Sequence, residues 1–391
     1  MSKIIIVNRG SASKKYALFE DDKILMNFHF EKSTDGFILH QTKDNSFSKD
    51  LKISEDDYEN AFDVCLKLLL KDSYIQYLED IKAVVFRIVA PGKYFMHDRI
   101  IDQNFLEKLD EIREQAPLHI DKMHEEFNQV MNILHDVKLI AISDSRFHNT
   151  MLDFAKIYSL PSKLADEYEI YRYGYHGISV SSIKDEIIRN KKEIPKKVVV
   201  CHLGGGSSIT ALRDGESIDT TMGYSPLEGL TMSTRIGNID AGALISLSDK
   251  ADLEMSEIRD IFYNECGILG ISDKTDDIRE LISYCESGDK KSILALNNFV
   301  YLIKKQIGSM VTALNGLDLL VFTGTIGERS SFIREKICEN MDILGIKMDE
   351  NINKLTIAKN GYINIPGSDT SVQVILTQES KDMAKRALEL I

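Results

Sequence analysis

The sequence predicts an α/β protein of two domains built to one plan. At 391 residues the chain exceeds what one hydrophobic core comfortably organises. Two distant stretches also share a pattern. The apolar run Ile4-Ile5-Ile6-Val7 breaks at Asn8, enters Gly10-Ser11-Ala12-Ser13 and resumes as Tyr16-Ala17-Leu18-Phe19. Val198-Val199-Val200 breaks at His202, enters Gly204-Gly205-Gly206-Ser207-Ser208 and resumes as Ile209-Thr210-Ala211-Leu212. Each reads as a buried strand, a tight turn of small residues and a second strand. Lastly, helical and strand-length apolar patterns alternate through both halves.

Taken in order, residues 1–30 read as strands joined by short turns. Residues 55–78 have helical spacing, with Phe62, Cys65, Leu66, Leu69 and Leu70 on one side. Ala83-Val84-Val85-Phe86 is a short buried strand that delivers Arg87 and a Pro91-Gly92 turn. An amphipathic helix over 101–115 ends before Pro117, since a proline disfavours helix at the residue preceding it. A further helix covers 125–134, and Leu139-Ile140-Ala141-Ile142-Ser143-Asp144 is a strand ending on a carboxylate. In the second half, the strand 198–202 and its hairpin precede a strand at 217–221. Helices follow at 240–248, 254–264 and 290–314. Asp318-Leu319-Leu320-Val321-Phe322-Thr323 is a buried strand that leads into Gly324-Thr325-Ile326-Gly327-Glu328, with a helix over 331–344. A strand at 372–377 and a helix from Ser380 to the end close the chain, that helix packing back on the first domain.

Composition narrows the function classes. The 43% hydrophobic and 28% charged content is ordinary for a globular protein. A net charge of −13 disfavours a general nucleic-acid binder, which needs clustered Lys and Arg. It leaves room for a single nucleotide, which a few local cations can hold. The five cysteines are odd in number and lack a CxxC pair, so a reducing cytoplasm is expected. Four apolar residues before Asn8 and Arg9 are too few for a signal peptide, and no run approaches the length of a membrane helix.

Turns of small residues expose backbone N–H groups and suit phosphate oxygens. Two of them, one per half, suggest nucleotide held between the halves. Gly324 to Glu328, after a strand and before a helix, is a third such candidate. No GxxxxGK[ST] and no Rossmann fingerprint occurs, so any ATP is held by another scheme. Asn8, Asp144 and Glu379 are oxygen donors at strand ends and suit Mg²⁺. Taken singly, each is also what a turn cap looks like. Arg87 and Arg235 sit in apolar or small surroundings, as a phosphate or carboxylate grip would, although structural ion pairs produce the same pattern. His119, His148, His176 and His202 accompany them, each equally readable as a hydrogen-bonded core histidine.

These residues fall into blocks that resemble the acetate kinase family. The blocks are Asn8 to Tyr16, Ala116-Pro117-Leu118-His119, Tyr173-Gly174-Tyr175-His176-Gly177 and Cys201 to Ser208. They continue with Ser225-Pro226-Leu227-Glu228-Gly229-Leu230, followed by Thr231 to Arg235, and with Phe322 to Glu328. The likeness runs over nearly the whole length. It implies duplicated ribonuclease-H-like domains of the actin-like ATPase kind with an interdomain cleft. The first domain would be 1–147 with 380–391, and the second, nucleotide-binding, 148–379.

The resemblance implies reversible phosphoryl transfer between ATP and acetate, giving ADP and acetyl phosphate, by a homodimer using Mg²⁺, with Mn²⁺ as a substitute. Asn8 and Glu379 match metal-site positions, and Asp144 the acidic residue beside the metal. Arg87, Arg235, His176 and His119 match catalytic positions. Val89, Leu118, Tyr175 and Pro226, with Arg87, match the acid pocket. Ser13, Lys15, His202, Gly204, Gly205, Gly206, Asp277, Ile278, Arg279, Gly324, Thr325, Ile326, Gly327 and Glu328 match the nucleotide side.

The chain departs from the family's usual pattern at several of these places. Phe86 and Ala90 stand where histidines are usual, Gly205 and Ile120 where asparagines are, and Val180 where another histidine is. Thr325 and Arg329 alter the second glycine turn, and Asp273 stands near the adenosine site where a glycine is usual. Two further readings therefore stand beside acetate kinase: a propionate or butyrate kinase, and a nucleotide-binding paralogue with weakened catalysis.

Overall fold

The computed structural model describes residues 3–9, 13–33, 36–43, 47–113 and 117–391, with backbone alone at residues 9, 13, 33, 47, 117–119 and 122. The Gly10-Ser11-Ala12 turn lies outside the described residues, as do the side chains of Ser13, Leu118 and His119. The chain divides into two compact units, Met1–Arg146 with Gln378–Ile391, and Phe147–Thr377.

In the first unit the strands are β1 (Lys3–Arg9), β2 (Ser13–Glu20), β3 (Lys23–Ser33), β4 (Gly36–Lys43), β5 (Phe47–Ile53), β6 (Ile81–Ile88), β7 (Arg99–Ile100) and β8 (Lys138–Ser143). They form one sheet in the order β5-β4-β3-β2-β1-β6-β8-β7. β1 runs antiparallel to β2 and parallel to β6, and β6 runs parallel to β8. The β-branched run Ile4 to Val7 is buried throughout because β1 is central in the sheet and covered on both faces.

The second unit holds β9 (Lys197–Leu203), β10 (Ser207–Arg213), β11 (Glu216–Thr220), β12 (Leu319–Thr323), β13 (Gly361–Tyr362) and β14 (Ser371–Val374), in the order β11-β10-β9-β12-β14-β13. β9 is antiparallel to β10 and parallel to β12, which is parallel to β14. Five strands of each unit thus repeat one order and one set of directions, β3-β2-β1-β6-β8 and β11-β10-β9-β12-β14. This is the duplicated ribonuclease-H-like plan.

The helix Lys290–Leu314 spans the predicted range and buries Ala295, Phe299, Ile303, Ile307 and Leu314. Asp289 caps its start, and Asn315, at φ 57°, ends it.

Elsewhere the structure corrects the sequence reading. The helix expected at 55–78 is two, Glu55–Glu59 and Ala61–Lys71, and Leu70 is exposed. The helix expected at 101–115 is Gln103–Glu111, started by Asp102 accepting from the Phe105 N–H. The helix placed at 125–134 begins at Pro117, where a ring-fixed φ suits the first turn, and ends at Ile133. Gly324–Arg329 is itself a helix, and the next, Ser331–Cys338, stops short of 344. Glu339 is extended there and Asn340 has φ 56°, so the backbone leaves the helical region. β4, β5 and the helix Gly177–Lys191 were not foreseen. Among the described residues no helix is long and apolar enough to cross a membrane.

Candidate active site

In parallel sheets of this kind, ligands meet the carboxyl ends of the strands. In the first unit those ends carry Asn8 on β1, Arg87 on β6 and Asp144 just past β8, all directed alike by parallel pairing. Glu379 joins them from the first turn of the helix Glu379–Leu388.

Arg87 ties this group together. Its Nη2 donates to Asp144 Oδ2 at 2.8 Å, and its Nη1 to Asn8 Oδ1 at 3.4 Å. The same Nη1 lies 3.9 Å from Glu379 Oε2, which accepts from Asn8 Nδ2 at 2.7 Å. The Asp144 side chain is fully buried and that of Arg87 is 17% exposed. Burial alone would make the guanidinium easier to deprotonate. Asp144 and Glu379 outweigh that and hold its proton more firmly than usual. Arg87 Nε finds no partner among the described residues. Three oxygen-bearing side chains that the sequence could not show to converge thus meet at one guanidinium.

The second unit presents its own strand ends. Two imidazoles, His176 and His202, stack with ring centroids 4.1 Å apart. His176 sits at φ 60° just before the helix Gly177–Lys191, and its Nδ1 lies 2.9 Å from Ser208 Oγ. His202 Nδ1 lies 2.8 Å from Ser179 Oγ, which is 2.9 Å from Thr377 Oγ1. A Cβ built on Gly206 would stand 3.3 Å from both Arg235 Nη1 and His176 Nε2. One built on Gly204 would be 3.9 Å from His202 Nε2 and 3.8 Å from the Thr325 N. The glycine turn therefore brings Arg235, both histidines and the turn at Gly324 together.

Gly324, at φ +76°, must be glycine, because a Cβ there would lie 2.6 Å from Leu203 O. Glu328 folds back on this turn. Its Oε1 accepts from the backbone N–H groups of Gly324 and Thr377 at 3.1 and 2.9 Å and from Thr323 Oγ1 at 3.2 Å. Ile326 and Gly327 are buried behind it, while Thr325 is exposed. Ser233 joins the two sides of the turn: its N–H donates to Gly205 O at 3.2 Å and its hydroxyl to Asp276 O at 2.9 Å. The next residue, Asp277, caps the helix Ile278–Glu286 and pairs with Arg279, whose side chain is mostly exposed.

The other residues read from sequence are spread over both units. Val89 is half-buried one residue past β6 in the first unit. In the second, Tyr175 is buried with its hydroxyl donating to Tyr224 O at 2.8 Å, two residues before the half-buried Pro226. Lys15 is exposed on β2, paired in register with Asn8. His148 is a core residue bonded to Ser217 Oγ and Tyr175 O. Phe86, Ala90, Ile120 and Val180 are buried in the two cores, Phe86 edge-on to Phe127. Ser208, Ser179 and Thr377 were not picked out as orienting the histidines. Ser208 was readable as the last polar residue of the glycine turn, but the other two carried no signal.

The sequence profile of the acetokinase family matches residues 3–385. The chain is 34% identical over 396 residues to the acetate kinase of Bacteroides thetaiotaomicron, covering 100% of this chain and 99% of that one. The crystal structure of Porphyromonas gingivalis acetate kinase superposes with a TM-score of 0.85 at 30% identity, covering 100% of both chains. A propionate kinase from Francisella tularensis superposes with a TM-score of 0.86 at 32% identity, covering 99% of both. In sequence and in fold, the chain belongs to the acetokinase family.

Proposed function

We propose that this protein transfers the terminal phosphoryl group of ATP to acetate, reversibly, giving ADP and acetyl phosphate. The observation that carries the reading is the Arg87 network. A cation fixed by two carboxylates and an amide at three parallel strand ends is built to meet a second anion. An acetate oxygen attacks the terminal phosphorus while the bond to the bridging oxygen of ADP breaks. The nucleophile is already anionic, so no base must remove a proton. What the protein supplies is position and cancelled charge.

Arg87 and Arg235 grip the carboxylate and the moving phosphoryl group through their planar forks. With the Ser208 hydroxyl donating to His176 Nδ1, the Nε2 of that ring carries the hydrogen and donates to a phosphoryl oxygen. A second histidine role in the transfer is assigned to His119 of the first unit. The acid's methyl group is assigned to Val89 and Leu118 of the first unit and to Tyr175 and Pro226 of the second. The backbone of Gly204 to Gly206 and of Gly324 to Gly327 lines the nucleotide side, with Ser13, Lys15, His202, Asp277, Ile278, Arg279 and Glu328.

The donor set of Asn8 and Glu379 fits Mg²⁺: hard oxygens, few in number, leaving positions for water and phosphate. Among the described residues no group of three or more His, Cys, Asp or Glu side chains is placed to hold a metal. An ion held by Asn8 and Glu379 would take its remaining ligands from water and phosphate oxygens. Bound there, Mg²⁺ would neutralise charge on the terminal phosphates; Mn²⁺ would substitute. Asp144 keeps Arg87 in place beside it.

The test is a hydroxamate trap for acyl phosphate, run with MgATP and acetate, propionate or butyrate in parallel. Fastest product with acetate is expected. Faster product with propionate would favour the second reading, which the Francisella tularensis propionate kinase supports by its likeness to this chain. No product with any acid would mean a nucleotide-binding paralogue.

Gly205 permits a second check. A Cβ there meets only Ser233 Oγ, at 4.0 Å, so a side chain fits without strain. Gly205→Asn is expected to lower the KM for ATP about fivefold, the worth of one added hydrogen bond, with unchanged melting temperature. An unchanged or higher KM would show a turn rebuilt around glycine.

The working unit is a homodimer in a reducing cytoplasm. Leu152, Phe154, Ile157, Leu160, Leu164 and Tyr168 are all exposed within one short stretch of the second unit, Phe154 by 75%, and support a covered apolar face. The five unpaired cysteines support the compartment. Phe154→Asp is expected to halve the mass measured by light scattering. A wild-type monomer, or an unmoved dimer in the variant, would count against this face.

A further inference from the structure

The loop that carries Pro226 is braced by side chains with no part in the scheme above. Tyr158 accepts at its hydroxyl from the Tyr224 N–H at 2.9 Å and donates that hydroxyl's proton to Glu228 Oε2. Glu228 Oε1 pairs with Arg172 Nη1 at 2.6 Å, and the guanidinium lies over the Tyr158 ring, 5.2 Å from its centroid. Arg172 is itself anchored, its N–H donating to Lys156 O at 2.7 Å. Tyr158 and Glu228 lie so close to the backbone that a Cβ on Gly223 would fall 1.6 Å from Glu228 Oε2 and 2.2 Å from the Tyr158 hydroxyl. Only glycine allows a carboxylate to lie there.

The two ends of the loop are pinned as well. Tyr175 holds Tyr224 O, and the Gly229 N–H donates to Asn238 Oδ1 at 2.8 Å. Pro226 therefore has little freedom to move on its own. The Glu228 carboxylate reaches back across its own loop to Tyr158 and Arg172, outside it. The burial of the Tyr158 hydroxyl and the adjacent carboxylate keep that phenol protonated, so the donor persists through the physiological range.

We propose that Tyr158, Glu228 and Arg172 form a clamp of positioning residues that fixes Pro226 and so sets which carboxylic acid the site accepts. This rests on reading Tyr175 and Pro226 as walls of the acid pocket. Discrimination between acids that differ by one methylene is small, so a shift of a few tenths of an ångström in one wall changes it. Among the described residues, the clamp's hydrogen bonds and ion pair run to Tyr224 and Lys156 and not to the glycine turns at Gly204 and Gly324, so its loss should leave ATP handling intact.

The test uses the full-length enzyme with Tyr158→Phe, Glu228→Gln and, as reference, Pro226→Ala. In both clamp variants the KM for acetate is expected to rise about tenfold, while kcat and the KM for ATP stay within about twofold. The ratio of kcat/KM for propionate to that for acetate should move at least about threefold, in the direction that Pro226→Ala moves it. A loss of folded protein alone would lower the active fraction and leave that ratio fixed. Should Glu228→Gln fail to fold, Tyr158→Phe, which removes a single oxygen, carries the test. A fixed ratio in the clamp variants with a shifted one in Pro226→Ala would overturn the clamp and keep the pocket. A fixed ratio in all three would overturn the pocket reading as well. A shift in the clamp variants without one in Pro226→Ala would refute the route through Pro226.

Discussion

Arg87→Ala is expected to lower kcat by about two to three orders of magnitude, the usual loss when a preorganised charge at a reacting group is removed. It will also weaken the first unit. Asp144 is fully buried and pairs with Arg87 at 2.8 Å. Stripped of this cation, the buried carboxylate loses its ion pair, and breaking a buried pair costs about 3–5 kcal/mol. Activity lost in the single variant thus mixes chemistry with unfolding. The double variant Arg87→Ala/Asp144→Asn separates them, because a neutral amide at 144 removes the buried negative charge. Its melting temperature should recover most of the way towards the wild type while activity stays at the floor. Arg87→Lys gives an intermediate result: a point charge satisfies Asp144 but cannot fork between two anions. Turnover within tenfold of normal in folded Arg87→Ala would remove this residue from the chemistry.

How much of this was legible depends on whether the signal is local. The runs at Ile4 to Val7 and Val198 to Val200 announce central strands, because only a strand covered on both faces of its sheet buries every position. Asp144 at the end of one such run was visible for the same reason. The convergence on Arg87 was not, since Asn8 and Glu379 stand 371 positions apart and meet only when the last helix joins the first sheet. The helix Gly177–Lys191 hid because it buries Ser179, Ser182 and Glu186 along with its apolar residues, which blurs its apolar stripe. β4 hid because a polar residue, Gln41, occupies one of its buried positions, and β5 because Lys49, Asp50 and Lys52 leave it few apolar residues. Pro117 was read as an end when it is a beginning, the same fixed φ serving both. Val180 and Ile120, departures from the family pattern, explain themselves only in the folded chain, where both lie in apolar cores.

Asp98 gave no sign in the sequence, yet its replacement should have the second large effect. Its buried carboxylate receives the Ser143 N–H at 2.9 Å, Arg386 Nε at 3.0 Å and Arg386 Nη2, and pairs with Arg146. Arg386 also donates to Ser143 O at 2.8 Å and to Asp382 at 3.1 Å. This one carboxylate thus ties the end of β8, beside Asp144, to the helix that carries Glu379. Asp98→Ala would strip the buried Arg386 of its main carboxylate partner, leaving it Asp382 and the Ser143 carbonyl, at a cost of about 3–5 kcal/mol and roughly 10 °C in the melting of the first unit. Asp98→Asn keeps the shape and isolates the charge. Burial by itself would raise the carboxyl's pKa, but the hydrogen bonds and charge of Arg386, with the Ser143 N–H, hold it below the ordinary 3.8. A group depressed in the folded state contributes stability that is whole above its unfolded pKa and lost as pH falls through the folded one. The wild type should therefore lose melting temperature on acidification below about pH 4, and Asp98→Asn should flatten that part of the curve. Because the Ser143–Asp98–Arg386 tie fixes Glu379 against Asp144, kcat in Asp98→Asn should fall about tenfold with the KM for acetate little changed. A variant with normal kcat and an acid limb parallel to the wild type would show that the last helix is held by something else.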